Sequence, residues 1–230
     1  MIEDDKERRL VVAGDVLSIY PLDGDWSGLL REYWGQALDG VVELPRRPSA
    51  LLVGLGGGTQ VHLLDARVRP RLITVIERDP VIMRVALEWF GLGPLGPLEC
   101  YAGDATEVAG ALARARRRFD FIMEDSAYAA PLEESRALVR VLADLVTARG
   151  MLVVNRHRRG DSAALAGMLS PLFERVWQRR VRSEGENVLI FCERPRRLTG
   201  PARSRPAPVL SPPGPPEIEA NASPTTPRPA

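Results

Sequence analysis

A glycine-rich loop and three acidic residues are the features of this sequence whose types and spacing point to chemistry. The loop, Gly54–Gln60, contains four glycines, and backbone that lacks side chains can approach a ligand closely. Glu77 lies nineteen residues beyond Gly58, a spacing at which a carboxylate accepts hydrogen bonds from the two hydroxyl groups of a ribose. Asp104 and Asp125 follow, and Asp104 is placed to accept a hydrogen bond from an adenine amino group.

The charges of these residues indicate which nucleoside would bind. A nucleoside triphosphate calls for a lysine or arginine in the glycine loop, and Thr59 and Gln60 stand there instead. A sulfonium nucleoside carries a positive charge and no phosphate, so an acidic rim suits it. His62 and His157 have no cysteine or histidine at ligand spacing, and we therefore expect no metal.

The elements that position these residues are predicted from the pattern of apolar runs. From residue 50, short apolar runs alternate with longer amphipathic segments, which is typical of a parallel sheet covered by crossover helices. The predicted strands are Ala50–Gly54, Leu72–Ile76, Glu99–Ala102, Phe119–Met123 and Met151–Val154. The predicted helices are Thr59–Ala66, Pro80–Phe90, Ala105–Ala115, Glu133–Leu145 and Ser162–Phe173. The glycine loop and the three acids then share one rim, where the carboxyl ends of the strands meet.

The last two strand-like runs break the alternation. Val176–Val181 and Asn187–Cys192 are separated only by residues 182–186, which is enough for a hairpin and too short for a crossover. The predicted fold is therefore α/β: a doubly wound, mostly parallel seven-stranded sheet that ends in an antiparallel hairpin. This architecture resembles the Rossmann-like fold of class I S-adenosylmethionine-dependent transferases.

The chain divides into three predicted parts. Residues 1–49 form a small hairpin around Ala13–Asp15 and a helix that runs from about Trp26 to Gly40. This helix either packs on the sheet edge or roofs a ligand site with its aromatic residues. Residues 50–195 form the nucleoside-donor-binding domain. Residues 196–230 hold ten of the twenty prolines and no aromatic residue, which predicts a disordered tail.

Charge and cysteine content exclude several classes of protein. The formal net charge is +1, so no general positive field draws the chain onto nucleic acid or an anionic membrane. Two cysteines, Cys100 and Cys192, do not make a disulfide framework. No segment approaches the roughly 18 apolar residues that a membrane span needs. We expect a cytoplasmic protein with a small-molecule acceptor, no nucleic-acid or membrane partner, and a homodimer left open.

The strand-end motifs resemble a known family. They look like the spermidine synthase branch of the class I methyltransferase fold, over about residues 50–193. The motifs are Gly54–Thr59, Val75–Pro80, Gly103-Asp104, Phe119–Ser126 with Pro131, and Gly150–Asn155. The resemblance implies that Glu77 binds ribose, that Asp104 and Ala105 contact adenine, and that Asp125 faces the acceptor. The predicted donor-binding residues are Gly54, Gly56, Gly57, Gly58, Thr59, Glu77, Arg78, Gly103, Asp104, Ala105, Asp125 and Ser126. The predicted catalytic residues are Asp125 and Tyr128.

Three departures from the family pattern bear on the group transferred. Gly56 stands where family aminopropyltransferases carry a loop aspartate, Tyr128 replaces a second acid, and Trp34-Gly-Gln36 lacks the family's upstream acid. Each of these departures removes a negative charge that a polycationic acceptor needs. We therefore favour methyl transfer from S-adenosylmethionine. The alternatives are a polyamine aminopropyltransferase, which uses the decarboxylated donor, and a catalytically inactive nucleoside-binding or scaffold protein. Arg156, Arg158 and Arg159 are candidates to meet an anionic acceptor.

Overall fold

The computed structural model describes residues 1–128, 130–157, 160–181 and 186–196. The tail predicted for residues 196–230 lies outside this range apart from Arg196. The hairpin loop predicted at residues 182–186 lies outside it apart from Glu186. Among the described residues, no helix is long and apolar enough to cross a membrane.

The central sheet has seven strands, which confirms the predicted fold class. The strands in chain order are β4 (Ser49–Val53), β5 (Leu72–Glu77), β6 (Leu98–Ala102), β7 (Phe119–Glu124), β8 (Val146–His157), β9 (Phe173–Arg180) and β10 (Asn187–Pro195). Their spatial order is β6-β5-β4-β7-β8-β10-β9. The first five are parallel, and β10 pairs antiparallel with both β8 and β9. The chain reverses between β4 and β7, which is where doubly wound sheets leave a crevice.

Helices cover both faces of this sheet. They are α2 (Thr59–Val68), α3 (Pro80–Trp89), α4 (Ala105–Arg114), α5 (Leu132–Leu145) and α6 (Ser162–Leu169). The central strand β4 is buried along its whole length, as expected for a parallel strand that packs on both faces. Leu52 belongs to one apolar cluster and Leu51 to the other, because successive side chains point to opposite faces.

Most predicted boundaries shift by three residues or fewer, and two shift further. Strand β8 begins directly after α5 and is longer than the predicted Met151–Val154, because residues 146–149 also extend along the sheet. Helix α6 ends at Leu169, and Phe173 starts β9 instead of closing the helix. The buried Phe173 side chain fills the core in either conformation, so its apolar character did not distinguish helix from strand.

The N-terminal segment forms a second, three-stranded sheet. It consists of β1 (Ile2–Glu3), β2 (Glu7–Val12) and β3 (Asp15–Pro21) in antiparallel order. The single helix predicted after it is wrong. The chain makes a 3₁₀ turn at Gly28–Leu30, a four-residue helix α1 (Tyr33–Gln36) and another 3₁₀ turn at Val41–Glu43. Because the helix is interrupted, Trp34 is buried whereas Leu30 is exposed.

The N-terminal sheet is fastened to the glycine loop by two hydroxyl groups. Thr59 Oγ1 accepts a hydrogen bond from the Ile19 amide at 2.9 Å and donates one to the Ile19 carbonyl at 2.8 Å. Ser18 Oγ accepts a hydrogen bond from the Gly57 amide at 2.7 Å. Thr59 and Ser18 are both buried. The first turn of α2 is thus held against β3.

Replacing this threonine is expected to loosen the contact. Thr59→Val removes both hydrogen bonds and leaves the Ile19 amide and carbonyl unpaired, which should lower the free energy of unfolding by about 1–3 kcal/mol. Urea denaturation measures the change. Thr59→Ser, which keeps the hydroxyl, should retain most of the stability. Equal losses in the two variants would show that the hydroxyl contributes little.

Candidate functional site

The carboxyl ends of β4 to β7 open into a cavity of about 720 Å³. Nine of the predicted site residues line it: Gly54, Gly56, Glu77, Arg78, Asp104, Ala105, Asp125, Ser126 and Tyr128. The predicted residues Gly57, Gly58, Thr59 and Gly103 are not part of the lining. The first three of these instead pack against neighbouring elements behind the loop.

The glycine loop has no room for side chains. A Cβ atom on Gly56 would lie 2.7 Å from Ser18 Oγ and 2.9 Å from the Leu17 carbonyl oxygen. A Cβ atom on Gly57 would lie 2.7 Å from the Phe90 ring. Gly56 also has a φ of +53°, a conformation that favours glycine. The packing of β3 and Phe90 on the loop therefore excludes an aspartate from both positions.

Glu77 connects the glycine loop to the end of β5. Its Oε2 accepts a hydrogen bond from the Leu55 amide at 2.9 Å, and its Oε1 accepts one from the Asp79 amide at 3.0 Å. The side chain is buried but belongs to the cavity lining. Each carboxylate oxygen has a second lone pair, so Glu77 can still accept hydrogen bonds from ligand hydroxyls.

Asp104 is the N-cap of α4. Its Oδ1 accepts hydrogen bonds from the amides of Thr106 and Glu107, at 2.9 and 3.1 Å. Both bonds go to the same oxygen, and Asp104 is exposed at the cavity wall. The residue therefore stabilises the helix start and still presents a carboxylate to the cavity.

Asp125 is held from two sides by neutral donors. Tyr33 donates its hydroxyl proton to Oδ2 at 2.8 Å, and Asn155 Nδ2 donates to Oδ1 at 2.7 Å. Burial raises the pKa of Asp125 to about 6, while the hydrogen bonds from Asn155 and Tyr33 act in the opposite direction. Burial and the adjacent Asp125 charge raise the pKa of Tyr33 well above its ordinary value, so Tyr33 remains a donor. A carboxylate with a pKa of about 6 is suited to accept a proton near neutral pH.

Tyr33 and Asn155, which contact Asp125, are among the site residues that sequence reasoning missed. Tyr33 lay in the segment whose aromatic residues were expected either to pack or to roof a site, and it reaches the cavity. Asn155 closed one of the quoted motifs without a role, although its position at the end of a predicted strand was a signal. Asn187 extends the network, because its Nδ2 donates to Asn155 Oδ1 at 3.0 Å.

A buried ion pair fixes the turn that follows Asp125. Glu124 Oε1 accepts hydrogen bonds from the Ser126 amide at 2.9 Å, the Ser126 hydroxyl at 2.8 Å and the Ala127 amide at 3.0 Å. Its Oε2 pairs with Arg156 Nη1. Both side chains of the pair are almost completely buried. Arg156 was expected to meet an anionic acceptor, but it holds the buried Glu124 and is not part of the cavity lining. Arg158 and Arg159 lie outside the described residues.

Tyr128 contributes its ring to the cavity. The ring lies edge to face with His157 at 5.3 Å between centroids, and the Tyr128 carbonyl accepts a hydrogen bond from the His157 amide at 2.8 Å. Burial, followed by nearby negative charge, raises the pKa of Tyr128, so its hydroxyl is protonated near neutral pH. Tyr128 and Asp125 both lie in the stretch after β7, which the sequence predicted for the acceptor side.

The cavity lining is strongly acidic. Among the residues that the structure describes, Arg78 contributes the lining's only guanidinium, whereas six carboxylates face the same space: Asp15, Glu32, Glu77, Asp104, Asp125 and Glu134. Such a lining favours a cationic ligand over an anionic one. Within the part of the chain that the structure describes, no cluster of histidine, cysteine and acidic residues is arranged to hold a metal ion.

Removing the tyrosine hydroxyl should raise the pKa of Asp125 further. The hydrogen bond from Tyr33 stabilises the ionised carboxylate, so Tyr33→Phe should move the pKa upward from about 6. Carboxyl ¹³C NMR titration of aspartate-labelled protein measures it directly. Tyr101→Phe, which removes a tyrosine hydroxyl on β6, should leave the value unchanged. A pKa that stays constant or falls in Tyr33→Phe would contradict the assigned hydrogen bond.

Comparison with known proteins finds relatives that carry out two kinds of transfer. The eEF1A lysine and N-terminal methyltransferase of Danio rerio is 29% identical over 168 residues, which is 67% of this chain and 24% of that protein. The polyamine aminopropyltransferase of Vibrio vulnificus is 25% identical over 126 residues, which is 54% of this chain and 42% of that protein. The chain thus spans about a quarter of the length of the methyltransferase relative. No family model matches the sequence.

Solved structures share the fold. Human Methyltransferase-like protein 13 in complex with SAH has a TM-score of 0.55 and 24% sequence identity, over 74% of this chain and 82% of that chain. Spermidine synthase from Thermotoga maritima has a TM-score of 0.56 and 14% identity, over 80% of this chain and 64% of that chain. The sheet order and these solved structures agree that the chain has the class I methyltransferase fold. In sequence the chain is similar both to methyltransferases and to an aminopropyltransferase, which are transferases that use a donor of the S-adenosylmethionine type.

Proposed function

We propose that the cavity binds S-adenosylmethionine and that the protein transfers its methyl group to an acceptor held near Asp125. The observation that carries the proposal is the arrangement of the cavity around the carboxyl ends of four adjacent strands. Glu77 and Asp104 provide acceptors for ribose and adenine at one end. Asp125 provides a carboxylate of raised pKa at the other.

The glycine loop supports the intact donor over its decarboxylated form. An aspartate in this loop would attract the amino end of the decarboxylated donor and repel the carboxylate of S-adenosylmethionine. Gly56 and Gly57 have no space for that aspartate, because β3 and Phe90 occupy it. The loop therefore carries no negative charge that would repel the carboxylate of the intact donor.

Asp125 is proposed to orient the acceptor and to accept its proton. When bound, the donor supplies an electrophilic methyl carbon on a positively charged sulfur. Tyr33 and Asn155 fix both carboxylate oxygens, and the residue is mostly ionised above about pH 6. Positioning contributes much of the rate in a reaction of this kind, and proton transfer adds to it. Tyr128 is proposed to contact the acceptor from the same side.

The acceptor is proposed to carry an amine. The acidic lining supports a cationic group, and the two kinds of relatives are named for a lysine and an N-terminus and for a polyamine. A small molecule is the expected acceptor. Aminopropyl transfer to a polyamine is the second candidate, favoured by the relative from Vibrio vulnificus.

A reducing, cytoplasmic location is also proposed. Cys192 lies buried in β10, where burial raises the pKa of its thiol, and Cys100 lies partly buried in β6. Both thiols are free, which fits a compartment that keeps cysteines reduced. A homodimer and the absence of nucleic-acid and membrane partners remain proposals.

Calorimetric titration with both donors tests the proposed function. Wild-type protein is expected to bind S-adenosylmethionine at least as tightly as the decarboxylated form, because its glycine loop has no acid that would repel the carboxylate of the tail. Glu77→Ala should weaken binding of S-adenosylmethionine by roughly tenfold or more, since a carboxylate that receives ribose hydroxyls is lost.

Glu133→Ala is the matched control. Glu133 is an exposed carboxylate on α5 outside the cavity lining, so its removal should leave both affinities unchanged. A clear preference for the decarboxylated donor would support aminopropyl transfer and contradict methyl transfer. Binding of neither donor at millimolar concentration would support an inactive scaffold.

A further inference from the structure

Gln60 has a buried amide oxygen without a partner. The residue is the second of α2, belongs to the cavity lining and is only 7% exposed. Its Nε2 donates to the Trp34 carbonyl at 3.1 Å, which orients the amide. Its Oε1 is buried and accepts no hydrogen bond. Leaving a buried acceptor unpaired is costly, so a ligand donor at this point would be stabilising.

The unpaired oxygen of Gln60 belongs to a residue of the cavity lining. Among the described residues, the other buried side-chain atom without a partner is Arg156 Nη2. Arg156 is not part of the cavity lining and already pairs with Glu124. Among the described residues of the lining, Gln60 is therefore the one with a buried side-chain acceptor that a donor group of a ligand could pair.

The order of the strands indicates which part of the donor reaches Gln60. The sheet runs β6-β5-β4-β7, so Asp104, Glu77, the glycine loop and Asp125 follow one another along the rim. A nucleoside with adenine at Asp104 and ribose at Glu77 has its sulfur substituents over the glycine loop. Gln60 is the second residue of the helix that follows this loop, and its amide lies beside Trp34.

We propose that Gln60 Oε1 accepts a hydrogen bond from the ammonium group of the donor's amino-acid tail. This inference rests on the proposed donor site. An ammonium is a donor only, and an amide oxygen is a neutral acceptor, so the pair is complementary. Unlike a carboxylate, the amide does not repel the neighbouring carboxylate of the tail. Gln60 thus becomes a specificity-determining residue for an intact amino-acid tail in a loop that has no acid.

Two nucleosides that differ in this tail test the assignment. S-adenosylhomocysteine carries the amino-acid tail, and 5′-methylthioadenosine lacks it. Gln60→Leu should weaken binding of S-adenosylhomocysteine by roughly tenfold or more in calorimetric titration and leave binding of 5′-methylthioadenosine unchanged.

Gln36→Leu is the matched control. Gln36 lies on α1 outside the cavity lining and donates to the Arg31 carbonyl, so this variant should bind both nucleosides like the wild type. Unchanged affinity of Gln60→Leu for S-adenosylhomocysteine would overturn the assignment. Equal losses for the two nucleosides would also overturn it, because they would indicate a purely structural role. If wild-type protein bound neither nucleoside, the proposed donor site itself would fall.

Discussion

The close packing of the N-terminal sheet on the glycine loop is the constraint on which the rest of the site depends. The side chains and backbone of β3 fill the space that a side chain at Gly56 would occupy, and Phe90 fills the space beside Gly57. Thr59 and Ser18 tie the two parts together with hydrogen bonds. This packing shapes one wall of the cavity and keeps acidic side chains out of the loop. A structural contact between two sheets thereby limits which donor the site accommodates.

The opposite wall is governed by electrostatics instead of packing. Asp125 combines burial, which disfavours its charged form, with two neutral hydrogen-bond donors that favour it. The result is a carboxylate that ionises near pH 6 and is fixed in orientation. Glu124, paired with the buried Arg156, stabilises the turn that follows Asp125. The two walls together place a cationic donor between a neutral loop and an acidic acceptor side.

Much of this arrangement was predictable from the sequence because it depends on local patterns. Apolar runs and the loop lengths between them predicted the seven-stranded sheet and its final hairpin. The spacing from the glycine loop placed Glu77, Asp104 and Asp125 on one rim. The contribution of Tyr33 was not predictable, since it depends on how the interrupted N-terminal helix packs across the sheet. The same applies to Arg156: its charge suggested a surface role, and only the tertiary structure brings it to the buried Glu124.

The cavity is proposed to orient a sulfur nucleoside from the adenine end at β6 to the acceptor end at β7. A crystal structure with bound S-adenosylhomocysteine tests it most directly. The predicted result has the adenine amino group within hydrogen-bonding distance of Asp104, both ribose hydroxyls on Glu77, and the sulfur between the glycine loop and Asp125. A nucleoside bound in the reverse direction, or outside the cavity, would contradict the claim.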